Sequence, residues 1–174
     1  AEIQRDGFSG VMVVSEHDIN SPDRVTLYTG TKTEILEAMV TDGHAVGLGA
    51  WSQARAVLNQ RPTLSMIKVG RRDAGDASWG DALDAIREED SDWHGLACDT
   101  RVAAEIQEIA EWAGAGVVGD LGEFVLYVAQ TKDANVVTGA FGNIAQVLAD
   151  IEDVERTALI WHDPETASEA DYAV

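Results

Sequence analysis

From Leu64 onward the chain alternates short apolar runs with stretches of helical periodicity, a pattern few folds accept. Leu64–Val69, Trp93–Cys98, Phe124–Ala129 and Thr157–Trp161 read as strands, the first apolar enough to be covered on both faces. Between the first two, Ser78 is placed to cap a helix with Ala82, Leu83 and Ile86 inward and Arg87, Glu88 and Glu89 on a solvated face. Thr100 is placed to cap the next, where Val102, Ile106, Ile109 and Ala113 recur at spacings of four, three and four before a stop at Gly114. Ile144, Val147, Leu148 and Ile151 mark another helix, and a last one is expected after Pro164. Strand–helix–strand units of this kind join parallel strands and lay helices on the sheet.

The N-terminal third prepares that sheet. Residues 7–15 and 24–29 read as two short strands separated by the turn-rich HDINSPD. Thr31 and Glu34 have the spacing of a capping box for a helix with Ile35, Leu36 and Met39 on one face and a stop near Gly43. A second helix is expected over Ala50–Asn59, with Trp51, Ala54, Val57 and Leu58 on one side and Pro62 ending it. The expected fold is α/β: a mostly parallel or mixed sheet with helices packed on it, plus a short N-terminal strand pair. Residues 1–174 form one such domain region, and the start at Ala1 reads as that of a trimmed fragment.

Charge excludes some partners. Twelve Lys and Arg face 31 Asp and Glu, a net of −19, which repels nucleic acid and anionic lipid surfaces. Solubility accounts for such acidity, and so does a salt-rich habitat in which self-repulsion is screened. Arg61, Arg71 and Arg72 form the one dense positive cluster, either a self-assembly contact with an acidic neighbour or local charge balance. No apolar run approaches the roughly 18 residues that cross a membrane. Cys98 is the single cysteine, so no internal disulfide forms, and its apolar surroundings suit a small core residue.

Chemistry in an open parallel sheet gathers at the carboxyl ends of the strands. Those ends carry Arg71 and Arg72, then Asp99, then Lys132 and Asp133, then His162 and Asp163. Asp99, Asp133 and Lys132 could serve an enzyme or a Mg²⁺- and phosphate-binding domain, since hard cations take oxygen ligands. The same aspartates are also ordinary turn and cap residues. Gly116, Gly119 and Gly122 lack the strand-to-helix setting of a dinucleotide loop, and no phosphate-loop motif is present. His94 and Cys98 share a strand face without a second ligand pair, and His17, His44 and His162 stand singly. There is no Gly-x-Ser-x-Gly elbow. Trp51, Trp79, Trp93, Trp112 and Trp161 suit core and interface anchors. No catalytic, cofactor-binding or metal residue is assigned.

Three passages together resemble the contractile tail sheath proteins of tailed phages, in a diverged branch. In the first, a helix leads into LNQRPTLSMIKVGRR, with Asn59-Gln60-Arg61-Pro62 before a strand and Gly70-Arg71 after it. The second is DWHGLACDT followed by IAEWAGA and FVLYVAQTKDANV, and the third is NIAQVLADIEDVERTALIWHDPETASEADYAV. The likeness covers about nine-tenths of the chain in order and spacing. It departs from the family in lacking Phe before the Ser-Gln-like step, in Trp161 before His162, and in Asn59 for the commoner Ser. The resemblance implies a virion structural protein, assembled in the host cytoplasm into rings around an inner tail tube and above a baseplate. Contraction drives the tube through the host envelope, without catalysis. A cellular contractile injection device fits equally. Family arms that add strands to neighbouring subunits, and a C-terminal domain, are expected outside this chain.

Overall fold

The computed structural model describes residues 10–115, 125–151 and 156–161. The N-terminal start of the first expected strand, Phe124, the three glycines at 116, 119 and 122, and everything from His162 onward lie outside them.

Among the described residues one sheet holds six strands in the order β2-β3-β1-β4-β5-β6. They are β1 (Val11–Glu16), β2 (Val25–Thr29), β3 (Met66–Arg72), β4 (Gly95–Cys98), β5 (Leu126–Thr131) and β6 (Thr157–Trp161). β1 pairs in parallel with β3 (Val13 beside Val69) and with β4 (Val13 beside Ala97), and the parallel pairing continues through β5 to β6. Only β2 is antiparallel, laid along β3 with Thr26 opposite Val69. Both strands of the expected N-terminal pair are present, and the sheet inserts β3 between them.

Helices cover both faces, as right-handed crossovers require of a chain that runs from β1 outward to β3 and then back past β1 to β4. On one face α1 (Lys32–Asp42) and α2 (Gly49–Val57) bury Ile35, Met39, Ala54 and Val57 against Val13, Ile67, Val69 and Ala97. On the other, α3 (Trp79–Glu89), α4 (Ala103–Ala115) and α6 (Ile144–Asp150) bury Leu83, Ile86, Ile106, Ile109 and Leu148 against Met12, Val14, Leu96 and Tyr127. Each fully buried Val, Leu, Ile or Met side chain among them contributes about 1.5–3 kcal/mol of transfer free energy. A short α5 (Ala134–Thr138) precedes α6 and was not signalled by any apolar period, because none of its residues is buried.

Local chemistry sets the boundaries. α1 carries the capping box: the Thr31 hydroxyl accepts from Glu34 N–H, the Glu34 carboxylate accepts from Thr31 N–H at 2.7 Å, and Gly43 closes the helix at φ 112°. Ser78 caps α3 by accepting from Asp81 N–H at 3.0 Å. Gly70 in β3 is imposed by α3, since a Cβ there would stand 2.9 Å from Ile86 Cδ1 and 3.0 Å from a Val14 methyl.

Some expectations shift. α2 closes at Val57, and Leu58, Asn59 and Gln60 turn the chain before Pro62 is reached. α4 begins at Ala103, so Val102 contributes only its carbonyl to the first turn and its side chain is 57 % exposed. Gly114 stays inside α4 because it lacks the left-handed φ that would end a helix there. Glu89 is exposed yet engaged: its two carboxylate oxygens accept from the N–H groups of Arg24 (2.8 Å) and Val25 (2.9 Å), where the edge strand β2 starts.

Candidate functional site

The parallel strands stand in the order second, first, third, fourth, fifth along the chain, so the topological switch lies between β1 and β4. Its carboxyl end is lined by Ser15 and Glu16 from β1, Asp99 and Thr100 after β4, Arg72 from β3 and Glu105 from α4. Asp99 donates its N–H to Val14 C=O at 3.1 Å, continuing the ladder one residue past β4. α2 begins without a side-chain cap at Leu48. Gly49, at φ 45°, brings its first turn against this end, where an added Cβ would meet Asp99 Oδ2 and Ser15 Oγ, each at 3.6 Å.

Electrostatics make this end a proton-holding place. Burial first, then the charges of Glu16 and Glu105, push the Asp99 carboxyl up to about 6, against the opposing pull of a backbone hydrogen bond and of Arg72. Arg72 is itself engaged, stacking over the Trp79 ring at 4.5 Å and standing 3.9 Å from Glu105. Three carboxylates around one occupied guanidinium disfavour an anionic ligand such as phosphate. Among the described residues no three His, Cys, Asp or Glu side chains converge as a metal site.

The other expected residues have duties of their own. Asp133 caps α5 by accepting from Asn135 N–H at 2.9 Å, and its carbonyl accepts from the Trp161 indole at 3.2 Å. Asp133, expected beside Asp99 and Lys132, is thus committed to capping. His162 and Asp163 lie outside the described residues. Cys98 is buried, and burial pushes its thiol well above the usual range, which makes it inert as a nucleophile. Trp79 and Trp93 are core residues, with Trp112 stacked on Trp93 at 6.2 Å.

Within the positive cluster of Arg61, Arg71 and Arg72, Arg71 is taken up by local charge balance, one of the two readings its density in sequence allows. Arg71 is 4 % exposed: its guanidinium donates to Asp73 (2.7 Å) and to the carbonyls of Asp23 (3.1 Å) and Pro22 (3.3 Å). A buried guanidinium stays charged, so it must be surrounded by acceptors and cannot also serve a neighbour. Arg61 precedes β3 and Arg71 and Arg72 end it, so the strand holds them at opposite edges of the sheet. Arg61 alone remains exposed.

Sequence reasoning passed over three features. His17 and His44 meet edge to face at 4.9 Å beside Arg71. A groove of about 440 Å³ lies between α1 and α2, lined by Leu36, Val40 and Trp51. Phe141, between two glycines in a stretch without charge, is 96 % exposed. Of these only the uncharged stretch around Phe141 leaves a signal in the sequence; the histidine contact and the groove depend on how distant elements pack. No protein-family model matches the chain, and no curated protein matches it significantly.

Proposed function

We propose that this chain is a subunit region of a contractile tail sheath, a structural protein that packs with copies of itself around an inner tube. What carries the reading is the placement of the three family-like passages. They fall in order on β3, then on β4, α4, β5 and α5, then on α6 and β6. A likeness that tracks consecutive elements of one sheet concerns a whole folding unit rather than a scattered motif. The carboxyl edge supports it as well, since Arg71, Arg72 and Asp133 hold the fold together. The partners would be identical subunits, the tube protein and the baseplate, in a phage tail or in a cellular contractile device.

An antibody fragment raised against this chain should decorate contractile particles along the whole length of the tail in electron micrographs. Labelling confined to one end, or absent from assembled tails, contradicts the proposal.

A second reading rests on Asp99, whose carboxyl is pushed up to about 6 at the switch point. A binding or catalytic domain using Asp99 with Lys132 and Asp133 predicts that Mg²⁺ raises the melting temperature and that Asp99→Asn abolishes the rise. A flat divalent-ion titration removes it.

A further inference from the structure

We infer that the start of α2 and the carboxyl ends of β1 and β4 form a binding site for an uncharged vicinal diol, such as two neighbouring hydroxyls of a sugar, with the Gln53 amide as its central contact. The inference goes beyond the sheath reading and does not rest on it.

Three elements bring the groups together. Gly49 stands at φ 45°, and a Cβ built on it would lie 3.6 Å from Ser15 Oγ and 3.6 Å from Asp99 Oδ2, so the first turn of α2 faces both. Gln53 follows one turn later on the same side of the helix, and its neighbours Ala50, Ala54 and Val57 pack against the sheet. Helical side chains lean toward the N-terminus, over the turn before their own. The Gln53 amide is therefore carried over Gly49, whose missing side chain leaves it room, toward Ser15 and Asp99.

That amide is unpartnered. Gln53 is 1 % exposed, and neither its Oε1 nor its Nε2 hydrogen-bonds to any described residue. The hydroxyl of Ser52, equally buried, is unpartnered too. Leaving both ends of a primary amide unmet inside a protein is costly, and an apolar side chain of the same length avoids the cost. The backbone adds further donors. Ser52 N–H closes the first turn onto Leu48 C=O at 3.3 Å, and Leu48 has no side chain that caps the N–H groups of Gly49, Ala50 and Trp51.

Charge and hydrogen-bonding capacity narrow the ligand. Glu16 and Glu105 surround Asp99, and the three carboxylates repel an anion. The helix start and Gln53 Nε2 offer N–H groups, which have no lone pair for a cation. An apolar ligand would leave every one of these groups unmet. Hydroxyls both donate and accept, as do Ser15, Ser52 and the Gln53 amide. A vicinal diol presents two O–H donors to the two oxygens of Asp99, while its own oxygens accept from Gln53 Nε2 and the helix N–H groups.

Titration of the ¹⁵N-labelled chain by NMR at pH 7.5, where Asp99 is ionised, tests the site. The probes are D-ribose and cis-1,2-cyclohexanediol, with cyclohexanol, acetamide and sodium phosphate as controls. Both diols should shift the Gln53 side-chain NH₂ and the N–H of Gly49 and Ala50 to saturation, binding about tenfold more tightly than any control. Gln53→Met keeps the length and the helix propensity of the side chain and removes both ends of the amide. It should abolish the response with Tm unchanged or raised, and Ser15→Ala should weaken diol binding while leaving the fold intact. Resonances that neither diol moves, an equal response to phosphate or acetamide, or a response that survives both substitutions overturns the site. Each of these outcomes leaves the sheath proposal standing, since that reading is decided by assembly.

Discussion

Asp99 and His17 are ordinary acid and base side chains moved in opposite senses by burial. Asp99 holds its proton up to about 6 when folded but releases it in the ordinary range when unfolded, near 3.8. The folded state thus binds the extra proton between those values, and this contribution, whole below about 3.8, is lost as pH rises through about 6. Asp99→Asn should therefore stabilise the protein at pH 7.5 by about 2 kcal/mol, a rise of several degrees in Tm, and change little near pH 4. A calorimetric scan that finds no gain at neutral pH refutes that account of the site. His17 behaves inversely: burial, then His44 and Arg71, lower it from 6.5 to about 4, against the pull of Gly70 C=O and Asp18. Its contribution is complete above about 6.5 and disappears as pH falls through about 4. Since the ring is partly solvated, the effect is on the order of 1 kcal/mol, and His17→Gln should flatten the fall of Tm across that window. A slope unchanged by the substitution contradicts it. Neither shift was legible in the sequence, because a single Asp or His carries no record of what the fold packs over it.

At the scale of elements, the edge strand β2 depends on residues far away in sequence. Glu89 at the end of α3 holds the N–H of Val25, the first residue of β2, and that of Arg24 just before it, and the Arg24 guanidinium makes a two-pronged pair with Asp76 at 2.6 and 2.9 Å. That pair holds the Asp76 carboxyl below its ordinary range and adjoins the Arg71–Asp73 bridge, so the turn before β2 is tied to the end of β3. Replacing Glu89 with Ala leaves the strand's own ladder intact. It should cost about 1 kcal/mol and speed amide exchange selectively at Arg24 and Val25. Uniform protection in the variant would show that the carboxylate adds nothing. Local signals placed most elements well, including the capping box at Thr31, the cap at Ser78 and the strand Thr157–Trp161. Periodicity could not place α5, which buries nothing, nor show that β3 would enter between β1 and β2. Helical spacing placed Val102 inward because spacing alone does not locate the first residue of a helix. The density of the arginine cluster could not tell which of its members balance local charge, because neighbours in sequence at the end of a buried strand are distributed inward as well as outward.

For the molecule as a whole, the parallel sheet followed from strand–helix alternation, but its edges and outer surfaces did not. One stretch departs from the acidic remainder, the uncharged Ala134 to Ala149 that presents Phe141. A net charge of −19 opposes association until salt screens it, with a Debye length near 10 Å at 0.1 M falling to about 3 Å at 1 M. Apolar docking strengthens relative to that repulsion over the same range, so assembly should grow with salt rather than dissolve in it. The most direct measurement is electron microscopy of the full gene product, purified and imaged across increasing salt. The account predicts rings or tubes that become more abundant as salt rises. A monodisperse monomer at every salt concentration would contradict it.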